Sequence, residues 1–191
     1  QRDEGVRMRR DTLDGLPPVV VPAGYSLRPM AADEIWAYMQ VMNRSNLNGH
    51  GDAAWFEDTY AKDPAYDPSL LQLMWKGDRP VAAAGAWHNI LDGQAWGMIH
   101  WVGVDLDERG RGLSRAVVLA ALHKLRERGF ERAFLGTAAW RLPAIATYLR
   151  LGFQPWPHDP PFPGVGGQAL WDQIARDLAE WRALRGEGVV R

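Results

Sequence analysis

Ile99-His100-Trp101-Val102-Gly103-Val104-Asp105-Leu106-Asp107-Glu108-Arg109-Gly110-Arg111-Gly112-Leu113-Ser114 carries a strand, a glycine turn and a helix start in one continuous run. An apolar run of β type ends at Val104. A charged turn follows, and Gly110 and Gly112 then open a helical pattern that continues from Leu113 to about Arg128. Strand, glycine turn and helix start together make an anion site. The first N–H groups of a helix lack intrahelical partners, and the macrodipole places roughly half a positive charge there. The two glycines reach backbone conformations closed to other residues and let a ligand approach closely. Phosphate is the expected ligand. A P-loop would need Gly-x-x-x-x-Gly-Lys-Ser/Thr, and a Rossmann fingerprint would need a third glycine beyond Gly112; neither string is present.

Composition bounds the class. The 191 residues are 47% hydrophobic and 24% charged, which suits one well-cored domain with appendages. A net charge of −1 gives no basic field for nucleic acid or an anionic membrane. Arg2, Arg7, Arg9 and Arg10 cluster, but Asp3, Glu4, Asp11 and Asp14 dilute them, and residues 1–22 read as a solvated N-terminal arm. The absence of cysteine excludes disulfides, thiolate metal sites and a cysteine nucleophile. No stretch has transmembrane length and no signal-peptide core is visible, so a cytoplasmic protein is the default expectation. Ten tryptophans exceed what a core of this size needs and point to an aromatic-lined cleft.

Working outward from the glycine turn, Trp96–Val104 reads as the strand that enters it. Upstream, Tyr25–Pro29 alternates like a short strand, and Asp33 is placed to cap a helix with Ile35, Trp36, Met39 and Met42 on one face. A loop at Asn43–Gly51 precedes a shorter helix from Ala53 to about Ala61. Leu70–Trp75 and Pro80–Trp87 read as two strands joined at Lys76–Arg79. Downstream, Gly129 ends the helix, Phe130–Thr137 is a strand, Pro143 opens a helix that Gly152 stops, and Phe153–Trp156 begins a final strand. Leu170, Ile174, Leu178 and Trp181 lay an apolar stripe on a C-terminal helix from Gln168 to about Leu184. The expected organisation is the arm at 1–22, a mixed α/β domain at 23–167, and a C-terminal helix at 168–191 packed on that domain.

Arg109-x-x-Gly112-x-Ser114 after Val104-Asp105 resembles the acyl-CoA pyrophosphate motif of the GNAT N-acetyltransferases, usually Arg/Gln-x-x-Gly-x-Gly/Ala, with the small Ser114 in the last place. Ala144-x-x-x-Tyr148-x-x-x-Gly152-Phe153 resembles the Ala-x-x-x-Tyr-x-x-x-Gly-Phe that the same family carries on the helix after its fifth strand. The motifs stand in the family's order, and element order is similar over roughly residues 24–156. The resemblance implies a central, mostly antiparallel sheet with helices on both faces, splayed at the cofactor strands. It implies acetyl-CoA as co-substrate and no metal. Val104, with Val102, would lie beside the pantetheine arm, and the backbone of Arg109, Gly110, Arg111, Gly112, Leu113 and Ser114 would hold the pyrophosphate. Arg109 and Arg111 would add charge. Arg141 stands where the family often has an asparagine and, with Ala144, would touch the cofactor.

The implied chemistry is direct transfer from a thioester to an amine in a ternary complex, near His100 and Val104 and facing Tyr148. Positioning alone can lower such a barrier by roughly 7–11 kcal/mol. An ammonium of pKa about 10 must lose a proton, and Tyr148 resembles the family's general acid for the departing thiolate. The strand Trp96–Val104 holds no carboxylate, so His100 is the candidate base. It stands four residues before Val104, hence on the same strand face by period two, and resembles in placement a histidine that works through a relaying water. His88, Glu57 and Asp52 are alternatives. Candidate acceptor contacts are Trp36, Asn46, Asp52, Trp55 and Trp87, with Asn43, His50 and Phe56 nearby in sequence. The expected partners are a small-molecule amine and acetyl-CoA, with neither nucleic acid nor membrane, and a homodimer is left open. The rival reading is a non-catalytic acyl-CoA-binding module of the same fold.

Overall fold

The structure is a computed structural model and describes residues 4–45, 52–91, 93–157 and 166–186. The chain forms two compact units, Thr12–Ala133, and Gln1–Asp11 with Phe134–Arg191. The architecture is mixed α/β with antiparallel pairing dominant. Among the described residues no helix is long and apolar enough to cross a membrane.

In the unit Thr12–Ala133, strands β2 (Ser26–Pro29), β3 (Leu71–Lys76), β4 (Arg79–Leu91) and β5 (Gln94–Val104) lie side by side in that order, each antiparallel to the next. β3 and β4 are joined at Gly77-Asp78, where Gly77 takes the positive φ of 57° that tight hairpin turns need. Val81, Ala82, Ala83, Ala84 and Ala86 bury the first two thirds of β4, and their small side chains let helices approach both faces. Helix α1 (Ile35–Arg44) covers one face and α3 (Leu113–Glu127) the other. A Cβ placed on Gly103 would meet Met42 and Val41 of α1, and one on Gly97 would meet Leu125 of α3.

β5 carries a bulge. Ala83 pairs with Gly103 and Gly85 with His100, so β5 has one residue more than β4 across that step. Trp101 absorbs it with φ 43°, the left-handed region that side chains other than glycine rarely enter. An extra residue exchanges the faces of everything on one side of it. His100 therefore shares its face with Gly103 and not with Val104, which corrects the period-two expectation.

A second irregularity packs against this one. Helix α2 (Ala53–Phe56) widens into a π turn at Glu57–Ala61 instead of continuing as one regular helix. Phe56 and Tyr60 are thereby buried with Tyr38, Leu71, Leu73, Ala83 and Trp87 in the cluster under α1. Helix α1 is capped at Glu34 rather than at Asp33. The Glu34 carboxylate is drawn away from the helix, accepting from Arg28 and from the N–H of Ala31.

The other unit holds β1 (Gly5–Arg10), β6 (Ala133–Ala138, from Phe134 on), helix α4 (Leu142–Arg150), β7 (Gln154–Pro155) and helix α5 (Gln168–Leu184). The solvated-arm reading gives way here. β1 pairs antiparallel with β7 at Met8↔Pro155 and Arg9↔Gln154, with Val6 and Met8 buried between the arginines. In the first unit, Leu13 is also buried and donates its N–H to the carbonyl of Glu131 at 2.7 Å. Trp171, Ile174 and Leu178 bury the apolar stripe of α5, which packs on α4.

Candidate active site

Beyond Val104 the chain makes a short 3-10 turn at Leu106–Glu108 and reaches Arg109–Gly112 before α3 begins at Leu113. Gly110 and Gly112 both take φ 78°, and a Cβ on either would meet nothing within 4 Å. The backbone conformation, not crowding, demands glycine, and the side toward solvent is open. No side chain caps α3. Its first amides are therefore left to water or to an anion, while Leu113, Ala116 and Val117 fix the helix in the core.

Two buried carboxylates hold the turn from below. Asp105 and Glu108 are 0% and 2% exposed, a state that acidic residues tolerate only when paired. Asp105 accepts from Arg44 Nε at 2.6 Å and Arg79 Nη1 at 2.7 Å, and also from the N–H of Asp107 at 3.0 Å. Glu108 accepts from Tyr25 Oη at 2.6 Å, Lys76 Nζ at 2.9 Å and Arg79 Nη2 at 2.5 Å. Arg79 thus bridges both. The Tyr25 and Lys76 hydrogen bonds bring Glu108 down to about 2. Burial works to raise Asp105, but its hydrogen bonds from Arg44 and Asp107 and the charges of Arg44 and Arg79 hold it below its ordinary value. The two arginines of the turn are engaged as well. Arg109 Nη2 donates to the carbonyl of Ser45 at 2.8 Å, tying the turn to the end of α1, and Arg111 pairs with Glu108 at 3.3 Å.

Of the aromatic and histidine candidates in this unit, the structure gathers His100, Trp55 and Trp87 around Tyr60. Ring centroids lie 5.4 Å from Tyr60 to His100, 5.2 Å to Trp87 and 6.2 Å to Trp55. Trp55 also meets Trp101 edge-on at 5.1 Å. His100 is half-buried, its Nδ1 is enclosed without a hydrogen-bond partner, and burial lowers its pKa to about 4, so the ring is neutral at pH 7. Trp36 is placed elsewhere, half-exposed on α1 and packed edge-on against Trp75 at 6.0 Å. Asp52 caps α2, accepting from the N–H of Trp55 at 2.7 Å. Asn46 and His50 lie outside the described residues. Val104 is half-buried and pairs with Ala82, and Val102 falls within the bulge.

In the other unit, Tyr148 and Ala144 lie one turn apart on α4 and therefore on the same side of it. Tyr148 is 7% exposed, and burial pushes its phenol up to about 12 against an opposing pull from Arg141. Arg141 is the N-cap residue of α4, and its guanidinium lies over the Trp140 ring at 5.0 Å. Arg10 of β1 donates to the carbonyl of Leu151 where α4 ends, so the strand that replaces the expected arm braces the Tyr148 helix.

Residues 33–153 match the family model described as Acetyltransferase (GNAT) family. The chain belongs to the GNAT acetyltransferase family. This GNAT chain is 35% identical over 147 residues to the mycothiol acetyltransferase of Nocardia farcinica, covering 73% of the chain and 48% of that protein. It is 33% identical over 154 residues to the mycothiol acetyltransferase of Thermomonospora curvata, covering 78% and 50%. The chain spans about half the length of these curated relatives. Among solved structures, a GCN5-related N-acetyltransferase from Sphaerobacter thermophilus superposes with a TM-score of 0.63 at 22% identity, over 82% of this chain and 50% of that one, a likeness of fold.

Two features of the GNAT chain were not visible in its sequence. Tyr38 and Tyr60 form a buried hydroxyl pair beneath Trp101, and their only sequence signal is aromatic spacing that an ordinary core shows equally. The Asp105–Glu108 network draws Arg44, Lys76 and Arg79 from distant elements, so no local pattern announces it.

Proposed function

We propose that this GNAT chain moves the acetyl group of acetyl-CoA to the primary amine of a small molecule by direct attack in a ternary complex. The observation that carries this reading is the turn Arg109–Ser114, with its two left-handed glycines and an uncapped helix behind it. Backbone amides of Arg109, Gly110, Arg111, Gly112, Leu113 and Ser114 would hold the pyrophosphate. Val102 and Val104 would lie along the pantetheine arm, with Arg141 and Ala144 as further cofactor contacts. Acetyl-CoA supplies an activated thioester. His100, neutral and with Nδ1 unpartnered, accepts the ammonium proton through water and passes it to solvent. The freed nitrogen lone pair forms the C–N bond as the C–S bond breaks. The sulfur leaves with the electron pair and Tyr148 gives it the phenolic proton, while the acylated nitrogen sheds its surplus proton to solvent, from which Tyr148 is reprotonated. Trp55 and Trp87 are the acceptor-side walls of this proposal. Trp36 and Asp52 are occupied in packing and capping.

The test is thiol release from acetyl-CoA with a panel of primary amines. The panel includes glucosamine and the acceptor used by mycothiol acetyltransferases, the relatives' name making the latter the first to try. Amine-dependent release with an acetylated product is expected. CoA binding without release across the panel would favour the non-catalytic acyl-CoA-binding module, on whose side stands the weak basicity of His100. Failure to bind CoA would overturn both.

A further inference from the structure

Tyr38 and Tyr60 are fully buried in a cluster otherwise built from apolar side chains. Phenylalanine would fill the same space, so the hydroxyls call for a separate reason, since a buried hydroxyl is unfavourable unless bonded. Their hydrogen bonds run in one direction. Tyr38 Oη donates to the carbonyl of Trp101 at 3.3 Å, which leaves its oxygen to accept from Tyr60 Oη at 2.8 Å. The relay ends on the residue whose backbone sits at φ 43°. Such a conformation persists only where the surroundings over-determine it. The surroundings here are specific. The π turn brings Tyr60 to this point, and Gly85 leaves room for it, because a Cβ there would stand 3.1 Å from Tyr60 Oη and 3.0 Å from the carbonyl oxygen of His100.

We infer that the Tyr38–Tyr60 hydroxyl pair is a positioning device for acetyl transfer, clamping the Trp101 carbonyl and so fixing the bulge that sets His100 relative to Val104. This rests on the proposed reaction. The pyrophosphate turn is held separately, by Asp105 and Glu108, so the clamp acts on turnover more than on cofactor affinity.

The experiment compares Tyr38→Phe and Tyr60→Phe with wild type by hydrogen–deuterium exchange of the segment 96–104 and by steady-state kinetics. Loss of the bond to the carbonyl in Tyr38→Phe should speed exchange of that segment by about tenfold, with a smaller change in Tyr60→Phe, the scale of one buried hydrogen bond. In Tyr38→Phe, kcat should fall by about tenfold while KM for acetyl-CoA stays within about twofold. In a Trp101→Gly background the carbonyl and its bond persist, but positive φ carries no strain, so Tyr38→Phe should alter exchange less than it does in wild type. Unchanged exchange in Tyr38→Phe, or an equal change in the Trp101→Gly background, would overturn the clamp. Altered exchange with unchanged kcat would overturn its role in turnover. Altered exchange in a chain whose wild type acetylates no amine would uphold the clamp and sink the proposed reaction instead. Should Tyr38→Phe not fold, Tyr60→Phe carries the same comparison.

Discussion

Tyr148 and His100 owe their protonation states to burial, in opposite directions of use. With its phenol at about 12, Tyr148 keeps its proton across the whole neutral range, as a proton donor must. Tyr148→Phe retains the packing against Phe153 and is expected to lower kcat by about 10²–10⁴-fold with little change in KM for acetyl-CoA. Turnover equal to wild type would rule the acid role out. His100 has a folded pKa of about 4 against 6.5 when exposed. Between those values the unfolded chain binds a proton that the native ring refuses. The neutral ring's contribution is therefore complete above pH 6.5 and is lost as pH falls through about 4. Thermal melts across that window should show a shallower decline for His100→Gln than for wild type. The place of Tyr148 on α4 was legible because its motif is local to one helix. The surroundings of His100 were not, since Tyr60 and Trp55 come from another part of the chain and the bulge leaves no mark in composition.

The glycine turn shows how much an element can rest on one backbone angle. At φ 78° an alanine in place of Gly112 meets no neighbour, so its penalty is conformational, about 1–2 kcal/mol. Denaturant unfolding should show that loss, and KM for acetyl-CoA should rise more than kcat falls. Gly136→Ala makes the control, because a Cβ there also meets nothing and its φ is not positive. A Gly112→Ala chain as stable as the Gly136→Ala chain would refute the argument. The turn, α3 and α5 were readable since periodicity and punctuation are carried by adjacent residues. β1 was not read: Val6 and Met8 alternate with arginines as a half-buried strand should, but the charges suggested solvent, and the partner Gln154-Pro155 lies at the other end of the sequence. The π turn likewise follows a helical pattern that gives no sign of widening.

For the molecule as a whole, the buried carboxylates set the acid limit. Glu108 is held at about 2 against an ordinary 4.5, so its contribution is present above pH 4.5 and is lost as pH falls through about 2, and Asp105, also lowered, adds to the loss on the acid side. Tryptophan fluorescence should report acid unfolding in that window. Glu108→Gln should be less stable at neutral pH yet lose less on acidification, and parallel curves for the two proteins would contradict the assignment. Family membership was legible from two short motifs because each is a local device, a turn before a helix and a stripe along one. The acceptor was not, because the walls proposed for it, Trp55 and Trp87, come from α2 and β4 and meet only through packing on Tyr60. The bulge at Trp101 finally bears on how relatives should be aligned. Because the extra residue of β5 sits opposite Ala84 between two intact pairs, a homologous strand shorter by one would lose the bulge and keep His100 opposite Gly85. A gap placed at 101–102 therefore signals a strand without the bulge, in which Met98 and His100 keep their side of the sheet while the left-handed backbone at Trp101 is gone.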